Sequence, residues 1–159
     1  MLGYMLTTVA DVNGENWHLR TAGTHVVEGS AMSSRTRDAL LAIDELRAHN
    51  FNRHRSHQLG EPDVSWADII LASEVANVNF VRAQFPLSAH KCVQFQLLVR
   101  AARAGSSAVE LLAPLVDRDP VAQFDIVDPA GGDQAVYQQV AQQLWALSKE
   151  FAVLAAHAD

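Results

Sequence analysis

The chain has little of what staples, coats or anchors a fold. Among its 159 residues there is one cysteine, Cys92, so no internal disulfide forms. It has two lysines against ten arginines, neither clustered, and a formal charge of −6. The concentrated basic face that binds nucleic acid is therefore missing. No apolar run approaches the ~18 residues of a membrane span. The start, Met1-Leu2-Gly3-Tyr4-Met5-Leu6, has no basic stretch and runs into Thr7-Thr8-Val9-Ala10-Asp11, which is not a secretory signal. The expected partners thus include neither nucleic acid nor membrane, and the expected compartment is the cytoplasm. No repeat, low-complexity tract or long linker divides the sequence, so residues 1–159 are read as a single domain. What is present fits an ordinary soluble domain: 49% hydrophobic, 19% charged, mean hydropathy +0.01. A chain of this length buries roughly 68–70% of its unfolded surface without needing a disulfide or structural metal. The arginine excess, with abundant alanine, reads as a GC-rich bacterial coding sequence.

Hydrophobic spacing then orders the elements. Met1 to about Val9 is an apolar helix fragment, ended by the Asp11-Val12-Asn13-Gly14 turn signal. Asn16 to Ala22 alternates apolar and polar at period two, the pattern of a half-buried strand, stopped by Gly23. Ser33-Ser34 offer N-cap hydroxyls to a helix running to about Ala48, with Ala39, Leu40, Ile43 and Leu46 at helical spacing. Asn50 to Ser65 is a polar stretch. Ala67 to Ser73 is continuously apolar behind Asp68, as expected of a strand covered on both faces at the sheet centre.

Glu74 to Phe85 is an amphipathic helix stopped by Pro86. Lys91 to Phe95 is a short strand, Leu97 to Ala104 a helix closed by Gly105, and Ala108 to Val116 one or two further helical turns. Asp117 to Gly132, with two Asp-Pro pairs and Gly131-Gly132, is loop. Val136, Val140, Leu144, Leu147, Phe151 and Leu154 then define a final helix, which Asp133 caps. Alternating strands and helices predict an α/β fold, a small parallel sheet between helical layers. Only three strands emerge, and the chain opens on a helix where such folds usually open on a central strand.

Four short motifs account for that gap. Thr21-Ala22-Gly23-Thr24 after a strand, His54-Arg55-Ser56-His57-Gln58-Leu59 after the first long helix, Ala67-Asp68-Ile69-Ile70-Leu71 as a strand, and Asp128-Pro129-Ala130-Gly131-Gly132 before a helix containing Tyr137 occur in one order. In that order they resemble the low-molecular-weight protein tyrosine phosphatases, from about Trp17 onward. The resemblance implies a three-layer α/β/α fold, incomplete here at the N-terminal central strand. It also implies phosphomonoester hydrolysis by a cysteine nucleophile and an aspartic acid, without metal or cofactor.

The departure from the family is as informative. Its chemistry belongs to a Cys-x5-Arg-Ser phosphate loop between the first strand and first helix, and this sequence has none. Cys92 is followed by Val93-Gln94-Phe95-Gln96-Leu97-Leu98, with Leu98 at the arginine's place. That run lacks the small residues whose amides converge on an anion, and nothing in it lowers a thiol pKa. Cys92 is therefore read as a buried strand cysteine. Met1 to Leu6 sits where the family's helix follows its loop. The chain is thus either N-terminally truncated by roughly 10–20 residues of strand and loop, or a shortened relative without catalysis. The unpaired backbone left by a deleted central strand favours truncation.

Asp128 is the leading site residue. The resemblance implies that it protonates the leaving oxygen and later deprotonates the attacking water, a contribution of about 10²–10⁴ in rate. Pro129 restricts Asp128 to extended conformations that can aim a carboxylate out of the loop; the alternative is a turn-capping aspartate. Asp119-Pro120 is a decoy without the Gly-Gly. Asp125 is close enough in sequence to raise the acid's pKa, should the side chains approach within ~6 Å.

His49, His54 and His57 show no recognised zinc spacing, so no metal site is expected. The resemblance gives His54, Arg55 and Ser56 a bracing role beside the active site, and Thr21 and Ser33-Ser34 a supporting one, against plain turn, strand-end and cap roles. Tyr137 and Trp145 are read as packing residues.

Two functions of different class follow. The first is a phosphatase domain acting on a phosphotyrosine protein or small aryl phosphate, inactive as it stands because the nucleophile is absent; arsenate reduction ranks lower with a single cysteine. The second is a non-catalytic binding or regulatory protein that keeps the fold. A plain α/β domain with accidental motif matches is the third reading. Substrate and oligomeric state are not legible.

Overall fold

The computed structural model describes residues 1–102 and 108–155. They form two compact units, one of residues 1–58 and 128–152, the other of residues 59–127 with 153–155.

In the first unit, α1 spans Leu2–Asn13 and ends on Gly14, whose φ of 72° lets its amide turn back to the carbonyls of Ala10 and Asp11. Glycine suits this left-handed position because a Cβ there is strained. Met5, Leu6, Thr8, Val9 and Ala10 are buried, as an almost wholly apolar helix requires, and the helix runs four residues past the Val9 expected from sequence. Helix α2, Ser34–Leu41, is capped by Ser33, whose Oγ accepts the Thr36 amide at 3.1 Å.

The helix expected to reach Ala48 breaks early. Ile43 turns extended (φ −100°, ψ 114°) and starts a 3₁₀ turn, Asp44–Leu46. Ile43 and Leu46 are buried all the same, so the apolar spacing is satisfied by a turn instead of a continuous helix. The long helix Gln134–Ala155, which lies in this unit up to Ala152, is the clearest success of the spacing argument. Val140, Leu144, Leu147 and Phe151 are buried along one face, and Asp133 Oδ1 accepts the Val136 amide at 3.1 Å.

Asn16 to Ala22 is not a strand. Its alternation is met in part, since Trp17 stacks edge-on against Phe151 at 5.5 Å while Leu19 is exposed. A strand exists through its ladder bonds, and here only Gly23 makes a bridge, to Gln58. The described sheet accordingly has two strands instead of three.

In the second unit, α3 (Glu61–Trp66) leads to β1 (Ile70–Ala72), α4 (Val75–Gln84), β2 (Cys92–Gln94), α5 (Phe95–Ala102) and α6 (Ala108–Val116). The two strands are parallel, with Ile70 opposite Cys92, Leu71 opposite Val93 and Ala72 opposite Gln94. Parallel neighbours need a crossover, and α4 supplies it. Val78 and Val81 of α4 join Ala72 and Cys92 in a buried cluster flanked by Leu59 and Ile70. Each such aliphatic side chain contributes about 1.5–3 kcal/mol when fully buried.

Helix α3 lies in what the sequence presented as a polar stretch. Pro62 pre-sets its first turn and Asp63 accepts the Gly60 amide at 3.1 Å. The β1 strand is shorter than the run Ala67 to Ser73, because Ala67 closes α3. Helix α5 starts directly from β2, two residues before Leu97; Gly105, its expected terminator, lies outside the described residues. The helices following β2 end in a connector, residues 117–127, that contains one 3₁₀ turn at Ala122–Phe124. The long C-terminal helix is numbered α7.

Candidate functional site

The Asp128 loop is shaped by its own residues. Asp128 is exposed, and its Oδ1 accepts the Ala130 amide at 2.9 Å. The Gly132 amide then donates to the Pro129 carbonyl at 2.9 Å, and Gly131 takes a φ of 85°. A Cβ on Gly132 would come within 2.9 Å of Val136 Cβ and 3.1 Å of the Pro129 carbonyl oxygen, so the loop enters α7 along a path that only glycine allows. Gln134 Nε2 donates to the Arg35 carbonyl at 3.2 Å, joining the starts of α7 and α2. Asp128 thus caps the turn of its own loop, the plainer of the two roles that the sequence allows it.

The other two aspartates have different work. Asp125 Oδ1 accepts the Val75 amide at the start of α4 and the Gln94 amide nitrogen, both at 2.8 Å. That carboxylate anchors a connector. Asp119 is fully exposed and stands 3.9 Å from Arg82, a surface ion pair of little energetic weight.

Cys92 is 1% exposed on β2, and burial pushes its thiol up to about 12 despite the Arg82 charge nearby. A nucleophilic thiol requires the opposite shift. Leu98 is completely buried. Cys92 is a core residue, in keeping with the reading of its sequence neighbourhood.

The segment 54–58 braces the loop 23–30 through a set of hydrogen bonds. Gly29 donates to the Ser56 carbonyl and Ser56 to the Ser30 carbonyl, both at 2.8 Å, and Gly23 donates to the His57 carbonyl at 2.9 Å. Gln58 closes the set, accepting from the Val26 amide at 3.1 Å and donating to the Thr24 carbonyl at 2.9 Å. Glu28 accepts the Gln58 amide at 2.6 Å and pairs with His57 Nδ1 at 3.2 Å. Gln58 and Glu28 brace the loop through partners about thirty residues away in sequence, beyond any local pattern.

His54 Nδ1 faces the Tyr4 hydroxyl at 3.5 Å. Its pKa is held below the usual histidine value, first by burial and then by the Met1 α-amine and Arg55 charges. Arg55 donates to the carbonyls of Asn52 and His54, closing its own turn. His49 Nε2 lies 2.7 Å from Thr8 Oγ1, which is also 3.0 Å from the Tyr4 carbonyl oxygen. His49 and His54 both pack against the Tyr4 ring, at 5.3 and 6.0 Å between centroids, while His57 pairs with Glu28. Among the described residues no group of three or more His, Cys, Asp or Glu side chains could hold a metal ion.

Thr21 packs on α1, with its Cγ2 at the position a Cβ on Gly3 would occupy. Ser33 serves as a helix cap, and Tyr137 and Trp145 are buried packing residues of α7.

No family model matches the chain, and no curated protein does. Solved structures do. A YwlE arginine phosphatase mutant with a phosphorylated active-site serine is similar at a TM-score of 0.79 and 20% identity, over 99% of this chain and 87% of that one. A low-molecular-weight protein tyrosine phosphatase from Bacillus subtilis gives 0.76 and 19% over 99% and 88%. Another from T. tengcongensis gives 0.71 and 22% over 94% and 85%. With its parallel β1–α4–β2 unit, the chain has the fold of the low-molecular-weight protein tyrosine phosphatases.

Proposed function

We propose that residues 1–159 act as one domain of a phosphomonoester hydrolase in which Asp128 is the general acid and base, completed by a nucleophile that this sequence does not contain. One observation carries the reading. Ile126, two residues before Asp128, donates to the Ser73 carbonyl at 2.9 Å, immediately past the carboxyl end of β1. Ligands of open parallel sheets bind at that end of the strands, and the bond of Ile126 there supports the reading.

The chemistry balances on these parts. A thiolate attacks phosphorus, the ester oxygen leaves with the proton of Asp128, and water then attacks the cysteinyl phosphate while Asp128 takes its proton. Inorganic phosphate and the thiolate are released. The substrate class is a phosphotyrosine protein or an aryl phosphate, with phosphoarginine the second class to try because two structural neighbours are arginine phosphatases. Among the described residues no helix is long and apolar enough to cross a membrane. A lone buried thiol suits the reducing cytoplasm, where we place the protein.

The test compares residues 1–159 with the chain that includes any in-frame codons preceding Met1 in its gene. The expected result is no turnover of an aryl phosphate by the first, turnover by the second, and a drop of about 10²–10⁴ in kcat on Asp128→Asn. An inactive longer chain carrying a Cys-x5-Arg loop would sink the proposal. A native protein that starts at Met1 would instead favour the non-catalytic reading, whose support is the burial of Cys92.

A further inference from the structure

Residues 117–127, the connector that leads to Asp128, are held within the second unit by side chains of α4 and β2. Arg82 of α4 donates to the carbonyls of Val116 and Arg118 at 2.7 and 2.6 Å, at the end of α6. Gln94, the last residue of β2, is 1% exposed and binds Val121 twice. Its Nε2 donates to the Val121 carbonyl at 3.1 Å and its Oε1 accepts the Val121 amide at 2.7 Å. In this way the amide side chain imitates a neighbouring strand. The same Nε2 donates at 2.8 Å to Asp125 Oδ1, which also accepts the Val75 amide. Ile126, 3% exposed, is bonded to Ser73.

A buried amide in an apolar strand is costly unless all its groups are paired, and here each one is. Consecutive Cα atoms are about 3.8 Å apart, so Asp128 cannot lie more than ~8 Å from the anchored Ile126. Val127 is the only residue between them.

We infer that Gln94 and Asp125 form a latch that positions the Asp128 loop. This rests on the reading of Asp128 as the acid. They are positioning residues acting through the connector, and neither touches the reacting atoms. A leucine at position 94 would pack as well on β2 and leave Val121 and Asp125 unbound, so packing alone does not account for the glutamine.

The experiment reads the loop without relying on catalysis. A spin label is attached at Asp128→Cys in residues 1–159, where Cys92, buried and protonated, does not compete for the reagent. The expected spectrum has a slow component that Gln94→Leu and Asp125→Ala each abolish, while a control label at Leu87→Cys, on an exposed turn, is unchanged. Asp125→Asn keeps an oxygen for both donors and is expected to restore the slow component.

Should Gln94→Leu fail to fold, Asp125→Ala and its Asn rescue carry the test. Equal mobility at position 128 in the parent and in folded variants would overturn the latch while leaving the acid role of Asp128 standing. Conversely, loss of the slow component with no effect of Asp128→Asn on turnover would overturn the acid role and leave the latch.

Discussion

At the scale of single residues, burial decides what Cys92 can do. Its thiol, pushed by burial from the ordinary 9.0 up to about 12, stays protonated at any ordinary pH. A disulfide exchange reagent at neutral to mildly alkaline pH should leave native protein unlabelled and should titrate one thiol after denaturation. Rapid native labelling would show that β2 opens. The sign of the accompanying stability change follows from linkage: the unfolded chain loses this proton at lower pH than the folded one. The contribution of Cys92 is therefore complete below about 9 and falls away as the pH rises from there toward 12. Gly3 is a second residue whose role is set by space. Because Thr21 Cγ2 crowds the position of its missing Cβ, Gly3→Ala obliges the exposed Thr21 side chain to turn aside. The alanine gains about 1 kcal/mol of helix propensity over glycine, so the expected net change in denaturant unfolding is within about 1 kcal/mol.

At the scale of elements, the turn of residues 50–58 carries a pH dependence. His54 holds its proton less readily in the fold than in the unfolded chain, because of burial and the neighbouring positive charges. The unfolded state therefore binds more protons, and stability is full above the ordinary histidine value of 6.5 and declines as the pH falls below it. Unfolding midpoints taken across this range should show a shallower acid slope in His54→Gln. An unchanged slope would mean that another group drives it. Ser33→Ala removes the acceptor of the Thr36 amide and should cost about 1 kcal/mol, as cap removals do.

These elements also show how far sequence reasoning reaches. Helices α4 and α7 were legible because one face of each is buried over several turns, which writes a period into the residues. The alternation of residues 16–22 wrote a period too, but a strand depends on a partner outside itself, and no described strand pairs with it. Helix α3 was missed although Pro62 and Asp63 marked its start, since six residues are too few for a periodic stripe. Within the site, Asp128 was legible only through a resemblance of motifs. The Gln94–Asp125 bond was not legible at all, because 31 residues separate two side chains that local patterns treat as unrelated.

At the scale of the whole molecule, the similarity of fold and the absence of a phosphate loop from the sequence make opposite predictions about anion binding. The fold places parallel strand ends and helix starts where phosphate binds in such sheets. Yet the chain carries a formal charge of −6, its one cysteine is buried, and no Cys-x5-Arg run exists to gather amides around an anion. The twelve scattered Lys and Arg side chains and the helix starts are not gathered by such a run into a site for a dianion. An intact loop at a hundred times its dissociation constant would add about 2.7 kcal/mol to stability. For a domain of this size that is roughly 5–10 °C in Tm. Residues 1–159 should instead melt at the same temperature with phosphate or orthovanadate as with chloride at matched ionic strength. A rise of several degrees specific to the tetrahedral anions would show that these residues bind phosphate by themselves, through groups other than a cysteine loop. The proposed division of labour, acid in this chain and anion loop outside it, would then be wrong.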